Sequence, residues 1–144
     1  MYRNDKGYSD PTAGMALSNV CRDVKRERRH RNSIKQRPKV YIVSKFSGDI
    51  KSNMRYAAKC SRFVAKKRRI PIASHLMYPV MGFRDSIAEE REMCCMFGLA
   101  LLSLCDEVWC FTVNGEVSEG MQTELDEAKH LKIPIKYFNS EVSK

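Results

Sequence analysis

The chain contains 144 residues, of which 43% are hydrophobic, and its formal net charge is +9. This length suffices for one hydrophobic core and is too short for two ordinary domains. No apolar run approaches the roughly 20 residues that a bilayer span requires, and the N-terminus lacks the apolar segment of a secretory signal. We therefore expect a cytoplasmic protein that makes no contact with a membrane.

The positive charge is unevenly distributed along the sequence. Residues 1–39 carry 11 Lys or Arg against 4 Asp or Glu, whereas residues 40–144 carry 15 against 13. This distribution predicts a basic N-terminal arm, in which residues 22–37 could contact nucleic acid weakly. The densest part of that segment has no aromatic side chains for base stacking, so a solvated basic helix is the alternative.

The cysteines and histidines are not arranged as disulfide partners or metal ligands. None of the six cysteines shows a CxxC spacing, and the three histidines are far apart in the sequence. The sequence therefore predicts reduced, mostly buried thiols, no metal site and no cofactor.

The N-terminal arm should contain one helix. Asp10 is a favoured N-cap residue and Pro11 suits the first helical position, so a helix is predicted over residues 11–31. The polar residues beyond it predict a linker, because Pro38 resists continuation of the helix.

Residues 38–144 are predicted to form a single α/β domain, with residues 1–37 as a basic helical arm and linker. Apolar, β-branched runs alternate with amphipathic stretches through this domain. The predicted strands are residues 40–43, 70–73, 107–113 and 133–138, and the predicted helices are residues 50–67, 86–104 and 121–131. This alternation predicts an open, parallel four-stranded sheet with helices on both faces, in a Rossmann-like or flavodoxin-like arrangement.

Three expectations concern the middle of the domain. Residues 74–85 are predicted to be a loop. Ser86 and Glu89 have the spacing of a capping box, which predicts that the next helix begins at Ser86. Past Met93 this helix is apolar nearly all round, which predicts burial on more than one side.

Two helices direct a polar side chain towards the protein. At 100° per residue, the inward stripe of the last helix contains Met121 and Leu125, and Glu124 falls at its edge. The alternative is that Glu124 pairs with a neighbouring cation near the helix N-terminus. In the helix at residues 50–67, Asn53 is the polar member of the inward stripe.

Polar segments that follow the first three strands should meet at one edge of the sheet. Ligands of open parallel sheets bind beyond the carboxyl ends of the strands. Asn53, Glu90 and Glu124 lie in the first turns of their helices and point towards the same edge. The converging segments are residues 44–49, 74–78 and 114–120.

The predicted pocket contains groups suited to an anion or a sugar. Ser118 and Gly120 lie at the start of a helix, where a hydroxyl and uncovered backbone N–H groups favour a phosphate or sugar oxygen. His75 and Glu90 are candidates for a proton donor. For Glu90, an internal ion pair with Arg91 is the alternative.

Several segments occur in an order and spacing that resemble a known family. They are residues 40–49 with Asn53, 70–76, 89–92, 105–109 and 118–124. Together, over residues 40–138, they resemble the short nucleoside 2-deoxyribosyltransferase-like proteins, in particular an uncharacterised branch frequent in phages and prophages. The opening that begins at Tyr8 is similar to the start of small phage-encoded proteins, which implies the cytoplasm of a bacterial host.

The resemblance implies a chemistry. In the characterised enzymes, a Glu placed like Glu124 attacks the anomeric carbon of a deoxyribosyl group. A Ser and a Gly placed like Ser118 and Gly120 hold the sugar or a 5'-phosphate, and a group placed like Tyr41 helps to orient the nucleophile. A carboxylate suits attack on an oxocarbenium-like centre, and a base leaving group requires a proton. The other resembling positions that we assign to substrate binding are Ser44, Lys45, Phe46, Asn53, Asp106, Glu119 and Met121.

Two positions depart from the family pattern. The transferases usually place an acidic residue two positions before the motif glycine, where this chain has Ser118, and Glu119 lies one position closer. The Ser-Pro-aromatic turn of the phage branch is here Ser44-Lys45-Phe46. Lys45 could meet a phosphate, which would favour a nucleotide over a nucleoside, or could be an ordinary surface lysine.

The expected function is cleavage or transfer of an N-glycosidic bond in a nucleoside, a nucleotide or a nucleotide-derived signal, with Glu124 as the nucleophile. Two alternatives stay open. One is a non-catalytic module that senses or sequesters a nucleotide, and the other is a phage protein that binds nucleic acid through its basic arm. The resemblance also implies a homo-oligomer, because related enzymes often complete their pockets with a neighbouring subunit.

Overall fold

The structure is a computed structural model that describes residues 11–139. The chain divides into two compact units between Arg37 and Pro38. Within the described residues, the first unit is one helix, α1 (Pro11–Lys35), which has no buried residue. It is four residues longer than predicted, because residues 32–35 include neither Gly nor Pro to end it. The predicted N-cap, Asp10, lies outside the described residues.

The second unit is an α/β domain built on a fully parallel sheet. Its elements in chain order are β1 (Lys39–Val43), α2 (Ile50–Lys66), β2 (Ile70–Ile72), α3 (Ser74–Met77), α4 (Ala88–Ser103), β3 (Glu107–Thr112), α5 (Glu119–His130) and β4 (Ile135–Asn139). The strand order is β2-β1-β3-β4, and all three pairings are parallel. The predicted open four-stranded α/β sheet is confirmed, and its order matches the flavodoxin-like arrangement.

Helices cover both faces of this sheet. Alternate residues of β1 point to opposite sides, so that Tyr41 and Val43 join one core while Val40 and Ile42 join the other. The first core is completed by α4 and α5, through Leu102, Met121, Leu125 and Ala128. The second is completed by α2, through Cys60 and Val64.

The strand order creates a switch point between β1 and β3. The chain leaves β1 towards β2 on one side and reaches β3 on the other, so the connections diverge at the carboxyl ends of these two strands. Open α/β sheets bind ligands at such a crevice. The fold therefore places the loops after β1, β2 and β3 around one recess.

Three sequence predictions for the middle of the domain are wrong. The predicted loop contains the short helix α3. Helix α4 begins at Ala88 and its N-cap is Ile87, so the Ser86 side chain does not cap it. Only Gly98 and Leu102 of α4 are buried, and the helix is not buried on more than one side. The side that carries Met93, Met96 and Phe97 is exposed in the described part of the chain.

None of the helices among residues 11–139 is long and apolar enough to span a membrane.

Candidate active site

A cleft of about 540 Å³ opens at the carboxyl ends of β1, β2 and β3. Its walls come from the loop after β1, from α3 and the segment that follows it, from the first half of α4 and from the start of α5. The lining residues include Ser44, Phe46, Ser47, Ser74, His75, Tyr78, Phe83, Glu90, Cys94, Ser118, Gly120 and Glu124. The fold thus brings the three predicted polar segments together at one site.

A hydrogen-bonded chain of three side chains lies at the inner wall of the cleft. Tyr41 Oη donates to Glu124 Oε1 over 2.7 Å. The same hydroxyl lies 2.9 Å from Ser74 Oγ. Because Tyr41 has a single proton and an ionised Glu124 requires it, Ser74 is the donor of the second bond. Tyr41 is fully buried on β1, so its hydroxyl group is held in one position and donates to one oxygen of Glu124.

Gly98 of α4 makes room for this chain. A Cβ atom at that position would lie 2.9 Å from Tyr41 Oη, 3.5 Å from Ser74 Oγ and 3.7 Å from Glu124 Oε1. A glycine inside a helix costs about 1 kcal/mol relative to alanine. The close approach of the three side chains explains why the helix carries one here.

Burial gives Glu124 an unusual titration. Desolvation raises the pKa of its carboxyl group from 4.5 to about 7, and the hydrogen bond from Tyr41 opposes that rise. The pKa of Tyr41 is raised far above its ordinary value by burial and by the neighbouring carboxylate. Tyr41 is therefore a neutral donor at all physiological pH values, and Glu124 changes charge near neutrality.

His75 is a neutral hydrogen-bond acceptor in this site. Burial lowers the pKa of its ring, and a hydrogen bond with the backbone of Ser44 opposes that shift. Nε2 has no partner, which assigns the backbone bond to the other ring nitrogen. The ring stacks on Phe46, with centroids 5.4 Å apart and an angle of 19° between the planes.

Three side chains of the cleft carry a buried polar atom with no hydrogen-bond partner among the described residues. They are Ser44 Oγ, His75 Nε2 and Glu124 Oε2. A buried polar atom without a partner costs about 1–3 kcal/mol, so native proteins leave few of them. Their concentration in one cleft is typical of a site where a bound molecule supplies the missing bonds.

Asn53 supports the cleft without lining it. Its side-chain nitrogen donates to the backbone oxygens of Phe46 and Ser47, each over 2.9 Å. These bonds tie the loop after β1 to the first turn of α2. Asn53 was predicted to contact substrate, and the structure places it as a residue that positions the loop.

The start of α5 forms another wall. Ser118 is its N-cap, and Ser118 Oγ accepts a hydrogen bond from the backbone N–H of Met121. Glu119, Gly120 and Met121 line the cleft beside it. The first backbone N–H groups of a helix lack intrahelical partners, so the start of α5 favours an anion or a sugar oxygen.

The outer wall carries charges of both signs. Glu90 accepts a hydrogen bond from the backbone N–H of Arg84, which holds its carboxylate at the rim. Asp85 and Arg91 also line this wall. No ion pair joins Glu90 to Arg91 within the described residues, so the alternative of an internal pair is not met.

Besides Asn53 and the buried Tyr41, two predicted substrate contacts lie outside the cleft lining. Asp106 precedes β3 at the opposite edge of the sheet, where its carboxylate accepts a hydrogen bond from the backbone N–H of Lys39 at the start of β1. Its assignment to substrate binding is therefore wrong. Lys45 is exposed and does not line the cleft.

Two important residues were not singled out from the sequence. Ser74 lies in two of the segments noted above, but nothing in the sequence distinguishes it from its neighbours there, and only the fold brings it to Tyr41, 33 positions away. Gly98 does carry a signal, since a glycine in an otherwise apolar helix suggests a close approach. That signal does not reveal which side chains approach it.

Among residues 11–139, no three His, Cys, Asp or Glu side chains gather closely enough to hold a metal ion.

Comparison with known proteins identifies a family and a distant structural similarity. A family model described as "Domain of unknown function (DUF7768)" matches residues 38–138. No curated protein matches the sequence significantly. Among solved structures, a 2-deoxyribosyltransferase from Bacillus psychrosaccharolyticus, described as a biocatalyst for nucleoside synthesis, is similar with a TM-score of 0.53 and 14% identity. The match covers 70% of this chain and 72% of that chain, and at this identity it shows a shared fold.

Proposed function

The chain belongs to the DUF7768 family, and from the geometry of its cleft we propose that it is an enzyme that cleaves or transfers an N-glycosidic bond. The substrate class is a nucleoside or nucleotide. The observation that carries the proposal is the pair formed by Glu124 and Tyr41, 2.7 Å apart at the switch point of the sheet. The fold shared with a 2-deoxyribosyltransferase supports it.

In the proposed reaction, Glu124 is the nucleophile. Tyr41 binds Oε1, which leaves the unpartnered Oε2 to attack the anomeric carbon. A bond forms between Oε2 and that carbon as the bond from the carbon to the base nitrogen breaks, and the base departs with its electron pair. Water or a second base then attacks the same carbon, releases the carboxylate and yields a free sugar or a new nucleoside.

The leaving base needs a proton, and we assign its delivery to the protonated form of Glu90 rather than to His75. Because burial lowers the pKa of His75, its ring is neutral near pH 7 and its free Nε2 accepts a hydrogen bond instead of donating one. We assign His75 a different role, which is to accept a hydrogen bond from an N–H group of the base beside the Phe46 ring. Glu90 stands on the opposite, outer wall of the cleft.

The remaining polar groups hold the sugar. Gly120 and its neighbours at the start of α5 offer backbone N–H groups to a hydroxyl or a 5'-phosphate. Ser44, with its buried and unpartnered hydroxyl, can donate or accept at the inner wall. The α5 end thus suits an anionic or polar substrate group, and the Phe46 side suits a planar one.

A panel assay tests the proposal. Purified protein is incubated with nucleosides, deoxynucleotides and NAD, and free base is measured by chromatography. Glu124→Gln should reduce base release at least 1,000-fold, since it removes the nucleophile while keeping the shape of the side chain. Glu127→Gln, on the same helix and outside the cleft, makes the same change of charge and should keep full activity. Base release that persists in Glu124→Gln would remove Glu124 from this role.

A second candidate function is a module that binds a nucleotide without turnover. It is favoured by the Ser118 hydroxyl, which already accepts the capping bond from Met121 and stands where the transferases that the sequence resembles usually have an acidic residue. Binding to the native state alone would raise the melting temperature by mass action. This candidate predicts such a rise with nucleotides in the wild type, together with no detectable free base.

A further inference from the structure

The outward face of α2 carries a continuous line of cations. Lysine or arginine occurs at every position of this line, and all five side chains are exposed. The five residues, called the basic stripe from here on, are Lys51, Arg55, Lys59, Arg62 and Lys66. At 1.5 Å per residue the stripe is about 22 Å long, and its charges follow one another about every 4.5–6 Å.

The stripe is narrow and lies opposite the buried side of the helix. At 100° per residue its members fall within an arc of about 80°. The buried residues Ala57, Cys60 and Val64 fall on the other side, with a centre about 170° away. The helix therefore attaches to the sheet by one side and presents only cations directly outward.

The helix that carries these charges contains no carboxylate of its own. Residues 50–69 contain 8 Lys or Arg and no Asp or Glu. Within the described residues, none of the five stripe cations forms an ion pair; of the eight, Arg69 alone does, with Glu107. The basic helix α1 differs, because Arg26 pairs with Asp23 and Arg31 pairs with Glu27.

Positive and negative charges are separated along the sequence of the domain. Outside residues 50–69, the rest of residues 40–144 carry 7 Lys or Arg against 13 Asp or Glu, a net charge of −6. The near balance of 15 against 13 over the domain therefore hides a positive helix and a negative remainder. Such a separation orients the domain towards a polyanion and raises the rate of encounter.

An ordinary solvated surface does not account for the stripe. Adjacent members are three or four residues apart, and like charges at that spacing each destabilise a helix by about 0.2–0.5 kcal/mol. Four such pairs occur in series along α2. Surface helices usually intersperse both signs. A partner of opposite charge lying along the helix would offset this repulsion.

We propose that the basic stripe binds the phosphate backbone of nucleic acid. The row of cations matches a linear array of phosphates, and contacts to phosphates carry no sequence information, so we expect binding that is independent of sequence. An anionic membrane fits less well, because helices that lie on membranes insert an apolar face, and the apolar face of α2 is buried against the sheet. This site is separate from the cleft and does not depend on the function proposed for Glu124.

A salt titration of the full-length chain tests the proposal. Binding of a fluorescent 20-nucleotide oligo-dT, and of a 20-base-pair duplex, is followed by anisotropy between 50 and 200 mM NaCl. Each phosphate contact contributes about −0.7 to the slope of log K against log salt for single strands and about −0.9 for duplexes. Arg55→Gln with Lys59→Gln should weaken binding at least fivefold at 50 mM NaCl. It should also reduce the slope by about 1.4 for the single strand.

A matched pair of substitutions controls for total charge. Lys129→Gln with Lys132→Gln removes the same charge from exposed residues of the domain that lie outside the stripe, and should leave affinity and slope nearly unchanged. Both doubly substituted chains should fold, which thermal melting verifies. Glu124→Gln should bind the oligonucleotide as the wild type does.

Three results would overturn the proposal. The first is equal affinity and slope for the wild type and the Arg55/Lys59 variant. The second is an equal loss in the Lys129/Lys132 variant, which would assign the effect to net charge. The third is a loss of binding to vesicles of phosphatidylserine and phosphatidylcholine in the Arg55/Lys59 variant, with oligonucleotide binding intact, which would assign the stripe to a membrane.

Discussion

Glu124 combines two features that a nucleophilic carboxylate requires. Tyr41 donates a hydrogen bond to one of its oxygens, and the second oxygen has no partner in the part of the chain that the structure describes. Its pKa of about 7 means that it is ionised above neutrality without being strongly solvated. Water competes poorly for a buried carboxylate, so more of its electron density is available to an electrophile.

Removing the Tyr41 hydroxyl should shift the titration of Glu124. The hydrogen bond from Tyr41 lowers the pKa of Glu124, so Tyr41→Phe should raise that pKa above its value of about 7. The acidic limb of the pH profile of base release should move to higher pH, and kcat should fall about 10- to 100-fold. Carboxyl ¹³C NMR measures the same shift without turnover. Tyr137→Phe, on an exposed tyrosine of β4, is the matched control and should change neither quantity.

Two glycines of the site should respond to alanine in opposite ways. Gly98→Ala places a Cβ atom 2.9 Å from the hydroxyl oxygen of the buried Tyr41, so we expect a loss of about 1–3 kcal/mol of stability together with a loss of base release. Apart from the neighbouring backbone of α5, no atom of the described residues lies within 4 Å of a Cβ at Gly120, and alanine favours the helix. Gly120→Ala should keep stability or raise it by up to about 1 kcal/mol.

Chemical denaturation measures the stability of these two variants, and substrate titration measures their affinity. A weaker substrate affinity in a stable Gly120→Ala would place the ligand against the start of α5. If that variant binds and turns over substrate normally, the α5 start does not contact the substrate closely. A fully stable and active Gly98→Ala would contradict the tight packing of α4 on Tyr41.

At the scale of elements, hydrophobic periodicity predicted the long helices and missed the short one. The inward stripes of α2 and α5 were identified because three or more apolar residues recur with helical spacing. Helix α3 has four residues, too few to show a period. The apolar side of α4 was assigned to the core because hydrophobic composition does not indicate which side another element will cover.

The loop after β1 depends on α2 for its shape. Asn53→Ala removes two hydrogen bonds to the backbone oxygens of Phe46 and Ser47, so stability should fall by about 1–2 kcal/mol. The freed loop should raise KM more than it lowers kcat, because it holds a wall of the cleft and not the nucleophile. Lys45→Ala changes an exposed side chain of the same loop and should leave stability unaltered. An unchanged melting temperature in Asn53→Ala would contradict the positioning role.

At the scale of the whole molecule, the raised pKa of Glu124 makes stability depend on pH. The folded protein binds this proton more tightly than the unfolded chain, so the contribution is fully present below pH 4.5 and is lost as pH rises through about 7. The shift corresponds to about 3 kcal/mol. Glu124→Gln should therefore exceed the wild type in unfolding free energy more at pH 8 than at pH 5. Urea denaturation at both pH values measures this, and a constant difference would contradict the buried carboxylate.

The sequence predicted the architecture of the whole domain better than its charge distribution or its site. Alternating apolar runs were sufficient to predict a parallel sheet, whereas strand order depends on tertiary pairing. Summing charge over residues 40–144 concealed the basic stripe, because the acidic residues elsewhere in the domain cancel its charge in the total. The bond from Tyr41 to Glu124 was anticipated only through the family resemblance, and no local pattern could place Ser74 beside them.

The chain of Ser74, Tyr41 and Glu124 also has a consequence for folding. Its two bonds join residues that are 33 and 83 positions apart, and these residues lie on β1, α3 and α5. Contacts of this range form late in folding, because closing a long loop costs chain entropy before the contact can stabilise the fold. Refolding experiments should therefore recover helical circular dichroism before catalytic competence. A nascent chain that has not yet added α5 lacks Glu124, so the proposed activity cannot appear before the domain is nearly complete.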